Sequence, residues 1–301
     1  MKTWLLWRLR LLLSTLLLSA ALQPAWSAPT AETARLGLYM KIARDLNRSD
    51  VRTALEVWTE ELTRKFQVPS EVRFYSDIDA LRHDFDTGQV NLVIADAMTF
   101  VRHFKPEELA LGFTAKLPNS ASLLLLGRPG GGGVSQLAGK TIARLDDDEV
   151  SSTYLDTLCL RRSGKECAAL RVTFVPVPNN HQAVTRLLFK QVDFALVNQH
   201  GYETAVELNP QLRKAGELVE KLSFETQFFG FFSSRITPEF QRFALRTIDT
   251  MHLEPRGRQM LDVFKTERVT LAEPIVLKPF YQLEREYREL KAEARRKERK
   301  P

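Results

Sequence analysis

The sequence has two cysteines in 301 residues, and that scarcity excludes several classes at once. A multi-bridge disulfide scaffold needs several pairs. A cysteine-ligated metal centre needs a second pair, or histidines at ligand spacing. Cys159 and Cys167 stand alone around LRRSGKE, with neither nearby. HExxH, GxSxG and an activated Cys–His pair are also missing, so no catalytic signature is present and no metal or cofactor is expected. After the first apolar run there is no second one long enough to cross a membrane as a helix. Charge of one sign is scarce too. Of the formal net charge of +6, Lys2, Arg8 and Arg10 supply +3, and the segment from Glu284 onward, with eight Lys or Arg against five Glu, supplies another +3. The body between is close to neutral, which excludes a basic nucleic-acid footprint.

What is present begins with a leader. Lys2, Arg8 and Arg10 precede the apolar run Leu11–Leu22, and Ala25-Trp26-Ser27 puts small residues where a signal peptidase reads. Residues 1–27 therefore read as a secretory signal, with Ala28-Pro29 as the new start. The competing reading is an uncleaved anchor, since the run is near the short limit for a span. No Cys follows the run, which argues against a lipoprotein anchor. In an exported chain Cys159 and Cys167 are expected to close a small loop, worth ~2–3 kcal/mol on chain-entropy grounds. Two free thiols are the alternative.

Along the chain, apolar periodicity alternates between strand and helix. Arg35–Met40 reads as a strand, Asp50–Phe66 as an amphipathic helix, and Glu71–Tyr75 as a strand. Ile78–Asp86 is a helix stopped at Gly88, Val90–Ala95 a buried strand, and Met98–Phe104 the start of a helix. Such a βαβαβ series builds a parallel sheet with its ligands at the carboxyl ends of the strands. That places Tyr39–Arg44 and Asp96–Thr99 at one mouth. Ser122–Gly127 is apolar, and GGGGVSQLAGKT follows it. Five residues, not four, separate Gly133 from Gly139-Lys140-Thr141, so a phosphate-binding loop is refused and a surface turn expected.

The stretch KTIARLDDDEVSSTYLDTLC organises the rest. Thr141–Leu145 reads as a strand, Asp146–Glu149 as an acidic turn and Val150–Leu160 as a helix. Ser151, Ser152 and Thr153 are thereby expected at the mouth of a helix, beside free N–H groups and the positive dipole end, where an oxyanion can be held. The same residue types also start helices simply as caps. Val172–Val177, Asn180–Lys190 and Val192–Val197 repeat the βαβ pattern, so three strand ends converge on Ser151–Thr153, Asn179–His181 and Asn198–His200. Leu218–Ser223 and Gln227–Ser233 read as strands that both return to the first lobe. Thr237–Met251 and Pro255–Phe264 read as helices, and Phe280–Lys300 as a charged helix ending in a solvated tail.

Three segments carry a resemblance. VNLVIADAMTFVRHF, LLLLGRPGGGGVSQLAGKTIARLDDDEVSSTYLDTL and NNHQAVTRLLFKQVDFALVN resemble corresponding segments of the periplasmic solute-binding proteins of ABC importers, of the phosphate/phosphite/phosphonate-binding kind. The similarity spans most of residues 34–265. It implies a two-lobed type II periplasmic-binding-protein fold, α/β, with two mixed, mostly parallel sheets, flanking helices and crossing hinge strands. Residues 28–118 and 228–278 would form lobe 1, 119–227 lobe 2, and 279–301 a charged C-terminal helix and tail. The implied function is to close on a small oxyanion-bearing solute, phosphonate- or phosphate-like or a carboxylate, for an ABC permease. The alternative is a diverged module serving a membrane sensor or other partner. Either would be periplasmic and monomeric, without nucleic acid. Carried over residue by residue, the oxyanion falls to Ser151, Ser152 and Thr153. Tyr39, Lys41, Asp96, Thr99, Asn180, Asn198 and His200 complete the expected site. The chain departs from the family pattern in three places: Asn180 stands near the family's His, His200 near its acidic residue, and Asp96 where a small or neutral residue is usual.

Overall fold

The computed structural model describes residues 32–43, 47–116, 122–146, 148–223, 228–264 and 266–298. Residues 1–27, read above as a signal, lie outside the described residues. The first half of the chain runs β1 (Ala34–Tyr39), α1 (Arg48–Phe66), β2 (Ser70–Tyr75), α2 (Ile78–Asp86), β3 (Leu92–Asp96), α3 (Ala97–His103) and β4 (Leu109–Lys116). Next come β5 (Leu123–Gly127), β6 (Thr141–Leu145), α4 (Glu149–Ser163), β7 (Thr173–Val177), α5 (Asn180–Leu188), β8 (Phe194–Asn198), α6 (Gln199–Leu208) and β9 (Glu217–Leu222). The chain ends with β10 (Phe228–Ser233), α7 (Pro238–Asp249), α8 (Pro255–Val263), β11 (Arg268–Ala272) and α9 (Lys278–Glu298).

These strands make two sheets, ordered β11-β4-β10-β3-β1-β2 and β7-β6-β8-β5-β9. In each, the βαβ strands are parallel (β2-β1-β3 and β7-β6-β8) and the returning strands antiparallel. The chain passes from the first sheet to the second between Lys116 and Leu123, and returns between Leu222 and Phe228. Much of both crossings, at 117–121 and 224–227, lies outside the described residues.

Periodicity explains the helices that position the lobes. Asn47 caps α1 by accepting the Ser49 N–H, and Val51, Leu55, Trp58 and Leu62 repeat at helical spacing to pack on Leu36, Leu38 and Ile94. In the second lobe Val184 and Leu187 of α5 cover Ala143, Ala195 and Val197. A further buried apolar cluster takes residues from both sheets, among them Tyr39, Val93 and Phe231 from the first and Leu125, Ile142 and Phe194 from the second. The Cys159–Cys167 disulfide is formed, closing the loop after α4.

Four sequence expectations change. First, β4 and β11 were not legible as strands. A Cβ on Gly112 would lie 1.9 Å from the Gly230 carbonyl oxygen, so glycine stands in mid-strand to let β4 and β10 approach. Second, β9 does not return to the first lobe; it pairs with β5 at the edge of the second sheet, and β10 alone returns. Third, the strand end at Asn198–His200 runs directly into a helix not expected from the sequence: α6 begins there, with Gly201 tight against the Asn180 side chain. Fourth, the charged C-terminal helix packs against the body, and only its end, where Arg295, Arg296 and Lys297 are exposed, is solvated as expected. In α9 Phe280, Leu283 and Glu284 are buried, and the helix lies along α4 and against α3. Residues 299–301 lie outside the described residues.

Candidate functional site

Four helices start at the carboxyl ends of parallel strands, and each carries its own cap. The Oδ1 atoms of Asp96, Asp148, Asn179 and Asn198 accept the N–H groups of Thr99 (3.0 Å), Ser151 (3.3 Å), Gln182 (2.9 Å) and Gly201 (2.6 Å). Helices α3 to α6 therefore present their positive ends on one side, as βαβ handedness dictates. A cleft of about 720 Å³ opens there, lined from both sheets. The first lobe contributes Lys41, Asp96 and Phe228; the second contributes Asp148, Ser151, Asn179–His181, Asn198 and His200.

Of the residues expected at the site, Lys41, Asp96, Ser151, Asn180, Asn198 and His200 line this cleft. Tyr39, Thr99 and Thr153 are buried instead, and Ser152 is not on the wall. Thr99 serves Asp96, donating from both N–H and Oγ1 (2.7 Å to Oδ2). Burial, the largest influence, pushes the Tyr39 phenol up. Asn180 accepts the Asn198 N–H on Oδ1 at 3.1 Å, linking the starts of α5 and α6.

The three hydroxyls lie at the start of a helix, as the sequence implies, but none of them caps it. Helix α4 begins at Glu149 with Asp148 as its cap, so Ser151 is the third helical residue. Aspartate wins the cap because a carboxylate is a strong acceptor at the positive end of a helix. Ser151 Oγ donates to the Asp148 carboxylate; Ser152 Oγ donates to the Asp148 carbonyl and Thr153 Oγ1 to the Glu149 carbonyl, each at 2.7 Å. All three hydroxyl protons are committed inside the helix.

Beside the cleft lies a charged group that sequence reasoning missed. Glu149 on α4 bonds Lys41 Nζ through Oε1 and Arg102 Nη1 through Oε2, both at 2.9 Å. Arg102, on α3, also donates to Thr153 Oγ1 (2.8 Å) and to Glu284 Oε2 on α9 (2.9 Å). Burial alone would raise the Glu149 carboxyl, but the hydrogen bond and charge of Lys41, with Arg102, hold it below the usual carboxylate range. Nothing local marks this group: its members are 41, 102, 149, 153 and 284. Asp193, just before β8, is structural; it accepts Thr141 N and Oγ1 at 2.9 Å and so ties the start of β8 to β6. Among the described residues no cluster of three His, Cys, Asp or Glu could hold a metal ion.

The family model for the ABC-transporter phosphonate periplasmic substrate-binding protein matches residues 41–274. The chain belongs to that family. Members are periplasmic proteins that bind a small solute for an ABC transporter. None of the curated proteins matches the sequence. Among solved structures, a binding-protein component of an ABC phosphonate transporter from Pseudomonas aeruginosa is similar at TM-score 0.60 and 11% identity, over 88% of this chain and 89% of that one. PhnD1 from Prochlorococcus marinus, in complex with methylphosphonate, is similar at 0.61 and 13%, over 86% and 99%. The aliphatic sulphonate binding protein SsuA from Escherichia coli is similar at 0.52 and 12%, over 86% and 94%. At these identities the likeness establishes the fold: two lobes, α/β, of the type II periplasmic binding proteins. Among the described residues no helix is long and apolar enough to cross a membrane.

Proposed function

We propose that this family member closes its two lobes, 28–118 with 228–278 and 119–227, on one small polar solute in the cleft and delivers it to an ABC permease. The observation that carries the reading is the 720 Å³ cleft with four helix starts opening into it. The chain acts in the periplasm after loss of residues 1–27, as a monomer. The solute bears an oxyanion, a carboxylate or a phosphonate-like group. Its place is at the starts of α5 and α6 rather than α4. There the caps, Asn179 and Asn198, are neutral, the N–H groups of His181 and His200, second in each helix, have no partner within it, and their side chains stand alongside. Asp148 fills the corresponding position on α4 with a negative charge. Asp96 and Asp148 instead favour a solute that also carries an amine.

Isothermal titration calorimetry of residues 28–301 tests this, with inorganic phosphate, methylphosphonate, an aminoalkylphosphonate and amino acids as titrants. A zwitterionic titrant is expected to bind tightest. If none binds, the reading is wrong. A second reading, a diverged module serving a sensor or other partner, is favoured by one feature: Lys41, the lysine in the cleft lining, is already paired with Glu149. A membrane sensor or a permease retained from solubilised membranes by the immobilised chain separates the two.

A further inference from the structure

We propose that Glu149 is a built-in bridging anion: the chain's own carboxylate, held by two cations of the opposite lobe, draws the lobes together without a solute. The proposal rests on the reading of the cleft as one that opens and closes. Glu149 belongs to the second lobe, while Lys41 follows β1 and Arg102 lies on α3, both in the first. Each carboxylate oxygen has its own cation at 2.9 Å. Two oxygens on two cations across a gap is the arrangement a solute anion needs in order to bridge lobes. Charge-assisted pairs of this kind, half buried, are about twice as strong as neutral hydrogen bonds.

The surrounding contacts hold the pairs in place. Arg102 is orientated by Thr153 at 2.8 Å and by Glu284 at 2.9 Å, so its fork is fixed between α4 and α9. Helix α9 is itself anchored on the second lobe by Arg161 to Glu286 (3.0 Å for both nitrogens) and Lys291 to Glu166 (2.8 Å). On the first lobe Phe280 packs edge-on against Phe229 of β10. A ligand shifts an equilibrium only by its differential affinity for the two states. With Glu149 already bridging, closure starts nearer completion, and an incoming anion finds both cations occupied.

The test uses the chain without any solute. Nitroxide labels at Glu71→Cys on β2 and Glu207→Cys on α6, both exposed positions, report the distance between the lobes by double electron–electron resonance. Glu149→Gln keeps the size and removes the charge. It is expected to raise the ratio of long-distance to short-distance population about tenfold or more. Lys41→Gln, which alters the same pair without touching α4, is expected to move the ratio in the same direction by a smaller factor. Circular dichroism and melting of each variant confirm that it is folded. A distance distribution unchanged in both variants overturns the proposal. Because no solute is added, a failure of the calorimetric screen would sink the proposed transport function and leave this measurement to stand or fall separately.

Discussion

At the scale of single residues, charge at helix starts decides more than hydroxyl count. Asn179→Asp keeps a good cap, since aspartate and asparagine serve that position equally, but adds a negative charge where the oxyanion is proposed to sit. Affinity for an anionic titrant is expected to fall about tenfold or more by calorimetry, with the fold retained. Asp96→Asn changes charge the other way, again keeping the cap, and is expected to strengthen anion binding and weaken binding of an amine. Equal affinities in both variants would place the site elsewhere. Glu149 also predicts a pH dependence. Its folded carboxyl lies below the ordinary value, because Lys41 and Arg102 outweigh the burial that raises it. Glu149 and Asp96 in turn act, with Lys41, on the Tyr39 phenol beside them. The unfolded chain therefore takes up this proton at a higher pH than the folded one, so the contribution is complete near neutrality. It is lost as pH falls through the folded value. Melting temperature between pH 7 and pH 3 is expected to fall less steeply in Glu149→Gln than in the unaltered chain.

At the scale of elements, α4 and α9 act as a pair. The disulfide closes a short loop at the end of α4, and its reduction is expected to destabilise the folded chain by ~2–3 kcal/mol, measured by denaturant titration with and without reductant. The cleft should keep its affinity, because Cys159 and Cys167 lie at the far end of α4 from Asp148. Removing residues 278–301 is expected to do more. It uncovers the faces of α4 and β10 against which Phe280 and Leu283 are buried, and it strips Arg102 of Glu284. A truncated chain that melts with the full-length one would show that α9 is dispensable. The sequence displayed the charged stripe of α9 but not its partners. Arg161, Glu166 and Arg102 lie more than a hundred residues away, and a charge run alone looks like a solvated face.

At the scale of the whole molecule, the order of elements and the lining of the cleft were legible to different depths. The βαβ segments, the Ile78–Asp86 helix, the Thr141–Leu145 strand and the paired cysteines all follow from local period and local chemistry. The rule that ligands meet the carboxyl ends of parallel strands then brought Lys41, Asp96, Ser151, Asn180, Asn198 and His200 to one place without any coordinates. Strands β4 and β11 escaped, because a glycine that serves close approach looks locally like a breaker, and β11 is short and half exposed. The path of β9 escaped because alternation fixes a strand, not its sheet.

The sequence by itself determined the alternation of strands and helices, the neutral body and the family resemblance. These depend on residues within a few positions of one another. Only the tertiary structure decided that Asp148 takes the cap and commits the three hydroxyls inward, a competition settled by one residue's shift in where α4 begins. It alone decided that Glu149, Lys41 and Arg102 meet, because a charge pair across two lobes depends on how the chain crosses and returns. No period in the sequence records that path.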